Sequence, residues 1–203
     1  MKEAFIHQMP VQDAVHELGN IGIGAAGTAL SMLINQPVMT STEQLQMIED
    51  NSWLDLQLAQ EQIVGILFPY DQDVQGYGLF LLEEEFACRI LQNYLGQAVD
   101  FSHLGKEHLA VLQEICSIMA SSYLSALAEF AKLSIRIQPL AMTKDMKGSI
   151  VNDGFSYILQ QEKEAFWLNH TLFMEKDTRS SHLLFMMTID SIRSLMEKLE
   201  VVV

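Results

Sequence analysis

From Pro10 to about residue 34 the apolar positions recur at helical spacing, and Asn35-Gln36-Pro37 stops the pattern. Residues 38–48 then read as a strand and 53–60 as a short helix. Apolar runs over 63–70 and 77–82 flank the turn-rich stretch 71–76, which predicts an antiparallel pair. A helix follows over 83–94, closed by Gly96, and 97–105 forms a connector. The order then returns: a long helix over 107–132, a strand over 134–143, a polar insert over 144–161, strands over 165–175 and 182–188, and a closing helix over 190–199.

The recurrence extends to individual residues. Leu67-Phe68 matches Leu172-Phe173, and Leu79-Phe80-Leu81-Leu82 matches Leu184-Phe185-Met186-Met187, both at an offset of 105. The long helices match at 97, so the extra residues of the second half lie in the polar insert. Each half reads helix, strand, strand, strand, helix, and neither covers its own sheet well alone. The expected fold is α/β of the α+β type. It is a single domain over 1–203 with pseudo-twofold halves at about 10–96 and 106–200, and its long helices pack on a mostly antiparallel sheet.

Within the long helices, Glu17-Leu-Gly-Asn20 is echoed by Glu114-Ile-Cys-Ser117. At about 100° per residue, Asp13, Glu17, Asn20 and Gly24 fall within about 60° of one another. Val11, Val15, Leu18, Gly22, Ala25, Ala29 and Leu33 form the predicted core side. Ala110, Glu114, Ser117 and Ser121 make the equivalent stripe, opposite Leu112, Ile115, Met119, Ser122, Ala126 and Phe130. A solvated helix face explains one Glu-x-x-Asn; the repetition and the glycines at 24 and 27 favour a working surface. Each of those glycines costs about 1 kcal/mol in a helix relative to alanine, and close approach of another backbone is the expected compensation.

Composition narrows the class. The chain has 203 residues, 49% apolar and 19% charged, with a net charge of −14. That suits a packed globular protein, and the lack of a Lys/Arg cluster argues against nucleic acid or an anionic membrane surface. The apolar run 21–34 is short and rich in small residues, so no membrane insertion is expected, and no secretory signal is evident. Cys88 and Cys116 each lie in an apolar helical pattern and are expected to be free thiols in a cytoplasmic protein. The six histidines form no metal-like spacing, so no metal site is expected. Gly22-Ile-Gly24-Ala-Ala-Gly27 matches a dinucleotide fingerprint as a string but follows a helical pattern rather than a strand.

Together the stretches around Glu17-Leu-Gly-Asn20-Ile-Gly and Glu114 to Phe130 resemble the CheC/CheX/FliY family of chemotaxis phosphatases, from about Val11 onward. The family pattern is Asp or Ser, three residues, Glu, two residues, Asn, and a proline farther on. The resemblance implies hydrolysis of the aspartyl phosphate on a phosphorylated CheY-type receiver domain, with Mg²⁺ on that partner and no cofactor on this chain. Glu17 would anchor a lysine of the regulator and Asn20 would orient the attacking water, with Asp13 and Gly24 in support. The second copy departs from the pattern at Ala110 and Ser117, so Glu114 and Ser117 are expected to form a degenerate site. Glu43 stands where the family proline is expected. Residues 144–151 resemble the segment that engages the receptor deamidase CheD, which makes Asp145, Met146, Gly148 and Ile150 candidate contacts; an ordinary amphipathic surface turn accounts for the same residues. The alternative to an enzyme is an adaptor that binds a receiver domain or CheD with little hydrolysis. A monomer is expected by the same likeness.

Overall fold

A computed structural model describes residues 9–43, 45–47, 60–161 and 165–201. The predicted short helix over 53–60 lies outside them except at Gln60, as does Ile48 at the end of the predicted first strand. The order is α1 (Met9–Ile34), β1 (Met39–Thr42), β2 (Gln46–Met47), β3 (Gln62–Gln72), β4 (Gly76–Leu82), α2 (Glu84–Leu95), α3 (Lys106–Ala131), β5 (Ile135–Ile137), β6 (Ala141–Met146), α4 (Lys147–Gln161), β7 (Ala165–Phe173), β8 (Ser181–Thr188) and α5 (Ile189–Lys198).

All strands join one antiparallel sheet in the order β1-β7-β8-β4-β3-β5, with β2 also on β7 and β6 also on β3. That order is symmetric about the β8–β4 pair at its centre, which is the expected pseudo-twofold. It also interlocks the halves: the outer strands of the first half hydrogen-bond to β7 of the second, and those of the second to β3 of the first.

Alternation along the strands sorts side chains onto two faces. Val64, Ile66, Phe68, Phe80, Leu82, Leu168, Leu183 and Phe185 point into the main core beneath the long helices. Ile63, Leu79, Leu81, Trp167, Leu184 and Met186 form a smaller core on the other face, closed by Ile150, Val151 and Phe155. Those three residues belong to α4, so the predicted polar insert is in fact a helix that covers the second face of the sheet. Its polar average hid the spacing 150, 151, 155, which is one helical face. A buried ion pair between Lys147 Nζ and Glu83 Oε1, at 2.6 Å, ties its first residue to the turn before α2.

Two other expectations change. Each predicted outer strand is two short ones, and in the second half the break spans Gln138-Pro139-Leu140, where proline has no N–H for the ladder. The buried line of α1 also winds: Val11, Val15 and Leu18 lead to Ile23, Ala26, Leu30 and Ile34, while Ala25, Ala29 and Leu33 are only half-buried. α3 does the same, through Tyr123, Leu127 and Ala131, leaving Phe130 56% exposed. α1 meets α3 at Gly22 and the sheet edge at His16, Gly19 and Gly27, so no single straight stripe serves both.

A helix-borne candidate site

Asp13 and Glu17 are exposed on α1, and Asn20 and Gly24 are half-buried on the same face. Among the described residues no side chain pairs with either carboxylate. A shallow open depression lined by Gly24, Thr28, Ser31, Met32 and Val38 continues the stripe toward the end of α1, with Met32 79% exposed. Thr28 Oγ1 donates back to Gly24 O at 2.8 Å, so that hydroxyl is spent within the helix. Asn35, at φ 49°, then turns the chain into β1.

The glycines divide by what surrounds them. A Cβ on Gly24 would meet nothing within 4 Å, so the backbone there is open to a visitor. One on Gly22 would lie 2.6 Å from Leu127 Cδ1 and 2.8 Å from the Tyr123 ring, and one on Gly19 would lie 3.0 Å from both His170 and Leu168. Gly27 similarly faces Thr40. Three of the four glycines therefore let α1 settle against its own protein, and Gly24 alone offers the approach expected of Gly24 and Gly27 together.

That close seating links Asn20 to the core. Asn20 Nδ2 lies 3.3 Å from His16 Nδ1, and His16 Nε2 lies 3.2 Å from the carbonyl of Thr42 in β1. Thr42 Oγ1 is 2.9 Å from Nδ1 of His170, whose Nε2 is 2.9 Å from the Tyr123 hydroxyl on α3. His170 is fully buried, and desolvation, with His16 nearby as a second cause, pushes its pKa down to about 3. Burial likewise raises the Tyr123 hydroxyl well above its ordinary value. The inner end of this chain of bonds is thus neutral at any ordinary pH. Sequence reasoning weighed His16 only as a lone histidine; its position four residues before Asn20, on a bonding neighbour of the same face, was the available signal.

The second stripe is also outward: Ala110, Glu114 and Ser121 are exposed and Ser117 is half-buried. Gln113 Nε2 donates to the carbonyl of Leu140 at 3.3 Å, matching the tie from His16 to Thr42. The CheD candidates divide. Asp145 is exposed, with Oδ1 accepting from the Met146 N–H at 2.7 Å, and Met146 is 49% exposed. Gly148 is half-buried, and Ile150 is buried to 5% against Gly65 in the second core. Among the described residues, no three His, Cys, Asp or Glu side chains converge as metal ligands.

No family model matches the chain. Across 90% of both chains it is 24% identical to the CheY-P phosphatase CheC of Bacillus subtilis, over 189 residues. It is 31% identical over 131 residues to the flagellar motor switch phosphatase FliY of the same organism, a match spanning 63% of this chain and 34% of FliY. The solved structure of Thermotoga maritima FliY superposes with a TM-score of 0.75 at 18% identity, covering 96% of this chain and 98% of that one. The chain is a homologue of CheC and FliY. The FliY structure shares the fold described above, with two long helices side by side over an antiparallel sheet. α1 and α3 are each long and apolar enough to cross a membrane, yet here they are the packed helices of the CheC/FliY fold.

Proposed function

We propose that this protein dephosphorylates the aspartyl phosphate of a CheY-type receiver domain in chemotaxis signalling, through Glu17 and Asn20. The observation that carries the reading is a carboxylate and a carboxamide side by side on a solvent-facing helix stripe, with Gly24 open beyond them. An acyl phosphate whose charge is already met by Mg²⁺ on the receiver needs little covalent help, and a water held in line supplies much of the remaining acceleration. A neutral carboxamide accepts from that water without adding negative charge beside the phosphoryl group. Glu17, unpaired among the described residues, offers its carboxylate to a lysine of the partner and fixes the distance of approach. In this reading the protein acts as a cytoplasmic monomer and brings no metal or cofactor of its own.

Glu114 offers the same docking handle on α3. Ser117, with a shorter reach than an amide, holds no water in the receiver's active site, so the second face binds without hydrolysis. A second reading, capture of CheD, rests on the exposed Asp145 and Met146 rather than on Ile150.

The test is phosphate release from a CheY-type receiver charged with acetyl phosphate. Asn20→Ala is expected to lose about a hundredfold in accelerated turnover, the scale at which mispositioned groups cost rate. Glu17→Ala is expected to raise KM more than it lowers kcat. Turnover by Asn20→Ala equal to that of the parent would remove Asn20 from the reaction.

A further inference from the structure

The geometry points to His16 as the positioning residue of Asn20, holding its amide with the nitrogen turned inward and the carbonyl oxygen turned out toward the incoming water. This rests on the phosphatase reading and adds a residue to it. The main-chain oxygen of Thr42 can only accept. His16 Nε2, at 3.2 Å from that oxygen, must therefore carry the proton. In the neutral ring the other nitrogen, Nδ1, then holds a lone pair and can only accept, so the group facing it at 3.3 Å must be the amide nitrogen of Asn20. Oδ1 is left facing away, free to accept from water.

Nothing on α1 alone would choose between the two faces of that amide. The choice comes from the sheet edge, because Thr42 sits opposite His170 in the β1–β7 register and is pinned there through its own hydroxyl. The second half supplies an internal contrast. Gln113 occupies the position equivalent to His16 and donates to Leu140 O in the same manner, yet the residue three beyond Glu114 is Ser117, with no amide to orient. The tie to the outer strand is common to both halves; only in the first does it reach a candidate water-holding group.

Receiver turnover measured on His16→Leu, His16→Gln and Asn20→Ala, and on His16→Leu combined with Asn20→Ala, tests this. His16→Leu removes both bonds and is expected to lower kcat about fivefold, the scale of one net hydrogen bond, with KM within about twofold. His16→Gln can donate to Thr42 O and accept from Asn20 and is expected to recover kcat to within about twofold of the parent. Added to Asn20→Ala, His16→Leu is expected to change nothing further, because it acts through that amide. Parent-like kcat in His16→Leu, alongside a loss in Asn20→Ala, overturns the role of His16 and leaves the phosphatase reading standing; parent-like turnover in Asn20→Ala sinks both. Independently of activity and of whether the Leu variant folds, ¹⁵N shifts of the His16 ring in the parent are expected to report a protonated Nε2 and a bare Nδ1. The opposite tautomer overturns the inference.

Discussion

Acid should loosen this protein from behind its candidate site, in a pH window above that of the carboxylates with lowered values. His170 is completely buried, with burial the main reason its pKa falls to about 3, and half-buried His182, desolvated and near Lys147, falls to about 4. In the unfolded chain both titrate near about 6.5. Both shifts are downward, so the unfolded state binds more protons between those values. The associated stability is whole above about pH 6.5 and drains away as pH falls toward the folded values. At pH 5 each histidine would be about 1.5 pH units below its unfolded value. At about 1.4 kcal/mol per unit that is about 2 kcal/mol apiece, or about 4 kcal/mol together. The carboxylates with lowered values, Asp71, Glu85 and Asp100 (at about 2), contribute their losses at more acidic pH. Urea denaturation at pH 7.5, 6.5, 5.8 and 5.0 should therefore show a midpoint that falls steadily with an unchanged m-value. His170→Gln, which cannot titrate but can still meet the Tyr123 hydroxyl, should reduce that fall by about half. A parent midpoint that stays flat from pH 7.5 to 5, or a His170→Gln slope equal to the parent's, would show that the buried imidazole does not set the acid sensitivity.

Two further perturbations probe the packing. Gly22→Ala should destabilise by about 1–3 kcal/mol, since its Cβ would overlap Leu127 and Tyr123, whereas Gly24→Ala should stabilise by up to about 1 kcal/mol because its Cβ meets nothing. Thermal melts of the two variants should move in opposite directions, and a shared direction would contradict the glycine placement. Lys147→Met strands the buried Glu83 carboxylate and should cost about 3–5 kcal/mol by denaturant titration, most of it recovered when Glu83→Leu is added. A double variant no more stable than Lys147→Met would mean that the pair is not what holds the start of α4.

How much of this was legible beforehand varies by element. The long helices, the central antiparallel strands and Gly96 as a helix stop were all readable, because each rests on local periodicity or a single backbone requirement; Gly96 does adopt φ 70°. The outward stripe of Asp13, Glu17, Asn20 and Gly24 was readable for the same reason. α4 was missed because three apolar residues among polar neighbours look like a surface turn until a bare sheet face is known to need covering. The bonds from Asn20 through His16 and Thr42 to His170 were out of reach for a different reason: they cross 26 and 128 positions of sequence. No local pattern predicts which strand edge will lie beside a helix.

The exchange of outer strands gives the second half a duty that does not depend on its chemistry. Whatever chemistry Glu114 and Ser117 do or do not perform, β7 still has to supply His170 and Leu168 beneath Gly19, and β5 and β6 still have to close the edge of β3. A truncated protein ending after α2 would therefore keep Glu17 and Asn20 in its sequence but lose the floor on which they stand. Neither copy can be deleted, because each serves as the other's foundation.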